Sequence, residues 1–421
     1  MEIKKNSLLS RFTNTMFCKN IYYAYNFIFK TKKENIKSEK KINIVFLVER
    51  TNIWSSVASI YNAAEKNPMV NVFLLALPPC RNMELDLDDN SVYEHCLKIN
   101  PNAVKVYDNN SKEYFDIKKL DPDYIFINVP YYWEYPEEYR IKNLVRIAKL
   151  CYVPYGYNML QSRILDISVH RDLLMYISYF FAESRVTYDY AKKRLRLSQL
   201  ISGKRLYDIG FPRFDLYNES EFDSKKKNIT LMWLPRWTTG TEVEEGGNEP
   251  SSFFMMKDSI ADYAQKTGDK VIIRPHPLAF DNYIKRGLMT EEEVEEYKNK
   301  ILYNPNTELD ESSSYMEGLR SADVLISDFS SLVAEFFITG KPIIYFGNGD
   351  NFPSYHIEMY NSFYHASTWE ETEKLINNLK RGIDLKKEQR QIAIKHFMNG
   401  KPKNVGEHIV NILVEDYYKR R

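Results

Sequence analysis

One histidine in this chain has a setting that suits catalysis. His276 lies between prolines in the run Arg274-Pro275-His276-Pro277, directly after a short apolar segment. The prolines favour an extended backbone, so the imidazole has little freedom to move. An imidazole there can donate to a phosphoryl oxygen or carry a proton near neutral pH, and the Arg274 guanidinium matches phosphate. We therefore predict that His276 is functional and that Arg274 binds an anion.

A second candidate site is the run Ser327-Asp328-Phe329-Ser330-Ser331, which also follows a short apolar segment. Ser327 or Asp328 is expected to cap a helix that begins near Ser330, because first-turn N–H groups lack partners within a helix. Those groups, the helix dipole and two hydroxyls predict an anion site. Glu335, one turn further on, is expected to bind a ribose. A plain capped helix with Glu335 in solvent would explain the same residues.

The elements around these runs predict a parallel sheet. Strand-like segments at 271–273, 324–326 and 343–346 alternate with polar turns and a helical segment that ends at Gly340. This order is typical of α/β folds, in which ligands bind at the carboxyl ends of the strands. Arg236 follows another strand-like segment, 229–234, and is expected at the same edge.

The first half of the chain predicts a similar domain. An apolar strand at 42–48 is followed by a helix near 55–65 and a strand at 70–77, which indicates a Rossmann-like β-α-β unit. The unit lacks the G-x-G-x-x-G pattern, so we expect no dinucleotide cofactor. Glu49 stands at the end of the first strand.

Composition limits the classes of function. A chain of 421 residues predicts two domains, and its net charge of +1 argues against nucleic acid as a partner. Four cysteines lack CxxC pairing and histidine partners, which favours reduced thiols and no protein-held metal. No apolar run is long enough to cross a bilayer, so we expect a cytoplasmic protein.

Residues 1–41 differ in character from the rest. Lysines and arginines there are interleaved with aromatic and aliphatic residues at helical spacing, and acids are almost absent before Glu34. Such a basic amphipathic segment suits the inner surface of the cell membrane, where the protein would be peripheral. A helix that packs on its own N-terminal domain would explain the pattern equally well.

Four motifs together resemble the CDP-glycerol glycerophosphotransferase family of teichoic-acid polymerases and primases. The resemblance covers roughly residues 150–350 and rests on these runs in order: Gly210-Phe211-Pro212-Arg213, Leu234-Pro235-Arg236-Trp237, Arg274-Pro275-His276-Pro277, and Ser327-Asp328-Phe329-Ser330-Ser331 with Gly340-Lys341-Pro342. It implies an α/β fold with two Rossmann-like domains of the GT-B type. Their expected ranges are the basic amphipathic segment 1–41, an N-terminal acceptor domain 42–205, a C-terminal nucleotide-donor domain 206–395, and a final helix 396–421 that packs back on the N-terminal domain.

The resemblance also implies an activity. A hydroxyl of a lipid-linked or polymeric glycan acceptor, in teichoic acid or capsule synthesis, would attack CDP-glycerol or another CDP-polyol and release CMP. It implies no cofactor, although Mg²⁺ can accompany the diphosphate. The implied donor-binding residues are Arg213, Arg236, Arg274, Ser327, Asp328, Ser330, Ser331 and Glu335, beside catalytic His276.

One position departs from the family pattern. Where the family commonly has a His-Gly pair whose histidine is thought to act as base, this chain has Tyr155-Gly156. An unperturbed tyrosine titrates near pH 10 and is a poor base. Either Tyr155 orients the acceptor while another group, Glu49 or His170, takes the proton, or the acceptor differs from that of the family. Two other functions remain open: a GT-B glycosyltransferase or epimerase-like enzyme that uses a sugar nucleotide, and an inactive membrane-associated scaffold.

Overall fold

A computed structural model describes residues 40–81, 84–159, 164–202, 205–217, 222–238, 251–312, 314–347 and 352–419. The predicted amphipathic segment 1–41 lies outside these residues except at its last two positions. The chain forms two compact units, the first made of residues 1–156, 165–215 and 401–421 and the second of 157–164 and 216–400.

The first unit is built on a parallel sheet of seven strands in the order β11-β10-β9-β8-β1-β2-β5, with two small antiparallel hairpins, β3-β4 and β6-β7. Its elements are β1 (Ile42–Val48), α1 (Ser55–Lys66), β2 (Val70–Ala76), β3 (Cys80–Arg81), β4 (Glu84–Leu85), α2 (Ser91–Ile99), β5 (Val104–Lys105), β6 (Tyr107–Asp108), β7 (Glu113–Tyr114), β8 (Tyr124–Ile127), α3 (Ile141–Leu144), β9 (Lys149–Tyr152), α4 (Ile164–Ser168), α5 (Arg171–Tyr176), β10 (Ile177–Ala182), α6 (Arg185–Ser202) and β11 (Arg205–Asp208).

The mostly apolar sequence of β1 follows from its interior place in this sheet. Ile44 and Phe46 pack in the core on one face, whereas Val45 and Leu47 pack in the core on the other. A strand covered on both faces favours apolar side chains, and the amide of its one polar residue, Asn43, donates to the Leu120 and Asp121 carbonyls at 2.8 and 3.2 Å. The strand order reverses between β1 and β8, so the residues that follow these two strands lie at the topological switch point, where open α/β sheets bind ligands.

The last helix, α15 (Val405–Lys419), belongs to the first unit and packs against α1. The Asp215 carboxylate accepts hydrogen bonds from the backbone N–H groups of Val405 and Gly406 at 2.9 and 2.8 Å, which satisfies the start of the helix. Gly406 permits close packing, because a Cβ there would lie 2.5 Å from the Ser59 carbonyl carbon. The first unit therefore extends to residue 215 and resumes at 401, whereas the sequence predicts these boundaries at 205 and 396.

The second unit is built on a parallel sheet of six strands in the order β14-β13-β12-β15-β16-β17. Its elements are β12 (Thr230–Leu234), α7 (Phe253–Thr267), β13 (Lys270–Ile273), α8 (Ala279–Lys285), α9 (Glu291–Tyr303), β14 (Thr307–Leu309), α10 (Met316–Ser321), β15 (Val324–Ser327), α11 (Leu332–Phe337), β16 (Ile343–Tyr345), α12 (Ile357–Asn361), β17 (Tyr364–His365), α13 (Trp369–Lys380) and α14 (Lys387–Phe397).

This sheet also reverses its order at one place, between β12 and β15. Ligands of such sheets bind at the carboxyl ends of the strands beside this reversal. The prediction of two Rossmann-like α/β domains is confirmed, since each unit has one parallel sheet with helical crossovers. Among the helices that the structure describes, none is long and apolar enough to span a membrane.

Candidate active site

Three predicted turns meet at the switch point of the second sheet. Arg236 follows β12, His276 follows β13, and Ser330 and Ser331 follow β15. Because β12 is hydrogen-bonded to both β13 and β15 in parallel, the three turns leave the same edge side by side. We call these four residues the histidine site.

His276 presents one ring nitrogen as a donor. Its Nδ1 accepts a hydrogen bond from the Leu278 backbone N–H at 3.2 Å, so the neutral ring carries its proton on Nε2. The ring lies 5.9 Å from that of Trp237, between centroids. Loss of water around the imidazole, and then the positive charge of Arg236, lower the pKa of His276 to about 4. The residue is nevertheless exposed, so its neutral Nε2–H can reach a ligand near pH 7.

Arg236 is fixed through its backbone and open at its side chain. Its N–H donates to Asp328 at 2.8 Å, and its carbonyl accepts from the Tyr283 hydroxyl at 2.7 Å. The guanidinium lies over the Phe329 ring at 6.0 Å and has no hydrogen bond or ion pair with any residue that the structure describes. Arg236 is 9% exposed. An almost buried guanidinium with unused donors beside a neutral imidazole favours an anionic ligand.

Asp328 ties two turns together instead of binding a ligand. Its buried carboxylate accepts from the backbone N–H groups of Arg236 and Ser252 and from the Ser251 hydroxyl, the last two at 3.0 and 3.3 Å. Burial raises the pKa of Asp328 to about 6, against the lowering effect of those N–H donors and of the Arg236 charge. Asp328 thus holds the β12 turn against the β15 turn.

The prediction that Ser327 or Asp328 caps a helix is wrong. Helix α11 begins at Leu332 and has no side-chain cap, since the Ser327 hydroxyl is fully buried and donates to the Asp328 carbonyl. The Ser330 hydroxyl accepts from the Leu332 backbone N–H at 3.2 Å. Ser330 and Ser331 are both partly exposed, so their hydroxyls, unlike that of Ser327, remain within reach of a ligand.

Two predicted ligand-binding residues are engaged inside the protein. Arg274 forms an ion pair with Asp310 at 2.8 Å and donates to the Ser312 carbonyl at 3.0 Å. Glu335 is fully buried, and its carboxylate accepts from the hydroxyls of Tyr217 at 2.8 Å and Tyr315 at 3.0 Å. This arrangement does not support a ribose contact for Glu335, because the carboxylate faces the core and not the open edge.

Arg213 lies in the first unit, whereas the sequence predicted it in the donor-binding domain. It is buried, and it donates to the Tyr155 carbonyl at 2.9 Å while its guanidinium lies 5.0 Å from the centre of the Phe211 ring. A buried guanidinium that holds a backbone carbonyl fixes the course of the turn around it. Arg213 therefore positions the Tyr155-Gly156 turn.

Tyr155 lies in an aromatic environment at the carboxyl edge of the first sheet. It follows β9, and its hydroxyl lies 3.5 Å from that of Tyr131, which follows the neighbouring strand β8. Burial first, and then the neighbouring Tyr131 and Glu134, raise the pKa of Tyr155, whereas Arg50 lowers it. The raised pKa agrees with the expectation that this tyrosine is a poor base.

Glu49 is the more suitable proton acceptor at this edge. It follows β1 and is 3% exposed, and neither carboxylate oxygen has a hydrogen-bond partner among the residues that the structure describes, although Arg50 Nε lies 3.3 Å from Oε1. Burial raises the pKa of Glu49 from 4.5 to about 8, against the lowering effect of Arg50. A carboxylate tuned close to neutral pH suits general acid–base catalysis.

His170 is occupied at both ring nitrogens. Nδ1 accepts from the Leu173 backbone N–H at 3.2 Å, and Nε2 lies 3.1 Å from the Pro130 carbonyl, to which it donates. This histidine therefore caps α5 and supports the loop after β8, which leaves Glu49 as the candidate base of the two.

Sequence reasoning missed the partners of Glu49 in this region. Arg50 pairs with Glu134, lies 5.9 Å from the centre of the Tyr131 ring, and influences Glu49 and Tyr155 electrostatically. The aromatic run 130–136 directly after a strand is visible in the sequence, where it suits an acceptor platform or an ordinary packed loop, but the pairing of Arg50 with Glu134 is not visible there. We call the cluster formed by Glu49, Arg50, Tyr131, Trp133, Glu134 and Tyr155 the aromatic site.

Comparison with known protein families identifies the class of this chain. The model of the CDP-Glycerol:Poly(glycerophosphate) glycerophosphotransferase family matches residues 179–415, more than half of the sequence. The chain belongs to this family. It is therefore an enzyme that transfers glycerol phosphate from a CDP-activated donor, and the histidine site lies inside the matched range. A sequence search of curated proteins found no match.

Solved structures with the same fold include two kinds of enzyme. The wall teichoic acid polymerase TagF is 16% identical, with a TM-score of 0.52 over 96% of this chain and 98% of that chain. A putative UDP-N-acetylglucosamine 2-epimerase from Listeria monocytogenes is 11% identical, with a TM-score of 0.54 over 90% and 98%. The epimerase from Neisseria meningitidis bound to UDP-GlcNAc is 12% identical, with a TM-score of 0.53 over 89% and 100%.

These likenesses confirm the predicted fold of two Rossmann-like domains of the GT-B type. At such low identity they carry the fold alone, so the family match decides between glycerophosphate transfer and the epimerase-like alternative. Within the described parts of the chain, no group of three or more His, Cys, Asp or Glu side chains could hold a metal ion.

Proposed function

We propose that this transferase moves glycerol phosphate from CDP-glycerol to a hydroxyl of a cell-surface glycan or lipid-linked acceptor, in the synthesis of a teichoic acid or a capsule. The observation that carries the proposal is the almost buried guanidinium of Arg236, which has no hydrogen-bond or ion-pair partner among the described residues, beside the neutral Nε2–H of His276 at the switch point of the second sheet. Related polyol phosphates have the same diphosphate chemistry and would use the same donors.

The histidine site would hold the diphosphate. His276 Nε2–H and the Arg236 guanidinium donate to phosphoryl oxygens, and Ser330 and Ser331 add hydroxyl donors. Phosphoryl transfer needs positioning and charge stabilisation more than covalent help from the protein. Because His276 stays neutral near pH 7, it acts here as a fixed hydrogen-bond donor to the charge that develops on the departing CMP.

The reaction forms a bond between the acceptor oxygen and the β-phosphorus, and it breaks the bond from that phosphorus to the oxygen retained by CMP. The acceptor hydroxyl loses its proton in the same process. We assign this proton to Glu49, whose buried carboxylate accepts no hydrogen bond from the described part of the chain and whose pKa is raised to about 8. Tyr155, whose pKa is raised further from neutrality, orients the acceptor and takes no proton.

The donor and the acceptor bring further requirements. A diphosphate can bring Mg²⁺ with it, because the ion prefers phosphate oxygens and water to a cage made only of protein ligands. A lipid-linked acceptor would place the enzyme at the inner face of the cell membrane, where the basic and aromatic residues of segment 1–41 favour peripheral contact.

The test is CMP release from CDP-glycerol by variants of the histidine. His276→Ala should lower kcat by roughly 100- to 1000-fold, because one preorganised donor to the developing charge is lost. His276→Gln keeps an N–H donor and should recover part of that loss. His408→Ala removes an exposed histidine outside the site and serves as the control. Near-normal turnover of His276→Ala in the presence of acceptor would refute the assignment.

A further inference from the structure

The aromatic site has a ring surface of the kind that binds sugars. Trp133 is 39% exposed, and its ring lies 5.6 Å from Tyr131 in an edge-to-face arrangement and 5.9 Å from His170. These contacts fix the indole while part of it stays in solvent. Aromatic side chains with one exposed face combine a large apolar surface with little conformational freedom to lose.

The charges of the site are balanced. The Arg50 guanidinium pairs with Glu134 and lies 3.3 Å from Glu49, so its positive charge faces two carboxyl groups. An anionic polymer would meet no excess of positive charge in this cluster, and Glu134 would repel it. A neutral ligand with many hydroxyl groups avoids that repulsion and can donate to carboxylate oxygens.

Two buried polar groups near Arg50 make no hydrogen bond with any residue that the structure describes. Neither oxygen of Glu49 accepts a hydrogen bond, and the hydroxyl of Tyr135, which is 2% exposed and influenced by the Glu49 charge, also has no partner among the described residues. Buried polar groups are nearly always satisfied in native proteins. This pair therefore marks a place where a hydroxyl group of a ligand would be hydrogen-bonded.

We infer that the aromatic site binds a neutral sugar ring, stacked on Trp133 with a hydroxyl directed to Glu49, and that the acceptor is therefore a glycan and not a glycerol phosphate chain. The inference rests on the proposed function, because it names the acceptor of that same transfer. It gives the acceptor a chemistry different from the poly(glycerophosphate) in the family's name.

Direct binding tests the inference without turnover. Saturation-transfer NMR on the full chain would compare a panel of neutral disaccharides with a synthetic glycerol phosphate trimer. At least one disaccharide should bind, and Trp133→Ala should weaken it by about tenfold or more. Trp133→Phe should retain part of the affinity. Tyr303→Ala removes an aromatic residue that is 81% exposed in the second unit and should change nothing.

The variant Glu134→Gln tests whether the charges of the aromatic site disfavour an anionic acceptor. Glu134→Gln removes the partner of Arg50, so the affinity for the glycerol phosphate trimer should rise roughly fivefold at low salt and fall again at high salt. The inference is overturned if no disaccharide binds, if Trp133→Ala binds the disaccharide normally, if the trimer binds the unmodified protein as tightly as the best disaccharide, or if Glu134→Gln leaves the affinity for the trimer unchanged.

A separate measurement distinguishes failure of this inference from failure of the proposed function. CDP-glycerol should raise the melting temperature of the unmodified protein and of Trp133→Ala equally, because the histidine site lies in the second unit. Equal shifts would also verify that the variant folds. Absence of any shift with CDP-glycerol would reject the proposed function, whatever the sugars do.

Discussion

Glu49→Gln should stabilise the protein at alkaline pH while it removes activity. The pKa of Glu49 is raised from 4.5 to about 8 because the folded protein buries its carboxylate. Ionisation in the folded state therefore costs stability, and this cost grows as pH rises from about 4.5 and is complete above about 8. The shift is about 3.5 pKa units, so at ~1.36 kcal/mol for each unit the full cost is on the order of 5 kcal/mol. Glutamine has a similar shape and carries no charge, so it avoids this cost.

Urea unfolding of both proteins at pH 5 and pH 9 measures the effect. Near pH 5 the two should be similar, whereas at pH 9 Glu49→Gln should have the larger free energy of unfolding by a few kcal/mol. Glu113→Gln, at an exposed position in β7, is the matched control and should show no such change. The reasoning is refuted if the stability difference between the unmodified protein and Glu49→Gln is the same at both pH values.

Turnover of the unmodified enzyme should rise with pH through about 8, because the base acts in its ionised form.

Three further variants test the fold and the site. Asp328→Ala should lower the free energy of unfolding by about 3 kcal/mol and weaken CDP-glycerol binding, because two buried backbone N–H donors lose their acceptor. Unchanged stability in chemical denaturation together with an unchanged thermal shift by CDP-glycerol would contradict this prediction. Glu335→Gln should lower the free energy of unfolding by about 1 to 3 kcal/mol and leave the KM for CDP-glycerol unchanged. A raised KM with unchanged stability would instead indicate that Glu335 binds the ribose. Gly406→Ala should lower the free energy of unfolding by at least about 2 kcal/mol, measured by thermal melting, because the new Cβ would clash with Ser59. Gly156→Ala should not lower it, because the space around Gly156 is open.

Much of the fold could be predicted because the signals are local. The apolar runs of β1, β12, β13, β15 and β16 and the polar turns after them indicate parallel sheets directly. The place of His276 follows from the same signals, since a turn after a strand of such a sheet must leave at its carboxyl edge.

The partners of individual side chains could not be predicted in the same way. Arg274 pairs with Asp310, and Glu335 accepts from Tyr217, a residue 118 positions away, so neither choice is visible in a short window of sequence. Arg213 falls within the predicted donor-binding range 206–395, yet β11 pairs with β10, and the residues after it up to 215 belong to the first unit. Long-range packing decided each of these cases.

The return of α15 to the first unit has a consequence for synthesis on the ribosome. Helix α15 packs on α1, and the Asp215 carboxylate accepts from the N–H groups of Val405 and Gly406. The first unit therefore lacks these contacts until residues beyond 401 have emerged from the ribosome. Nearly all of the second unit, residues 216–400, is translated earlier and without interruption. Domains fold as their residues appear, and late contacts between distant segments are slow. The half of the chain that is made first is therefore expected to reach its native state last.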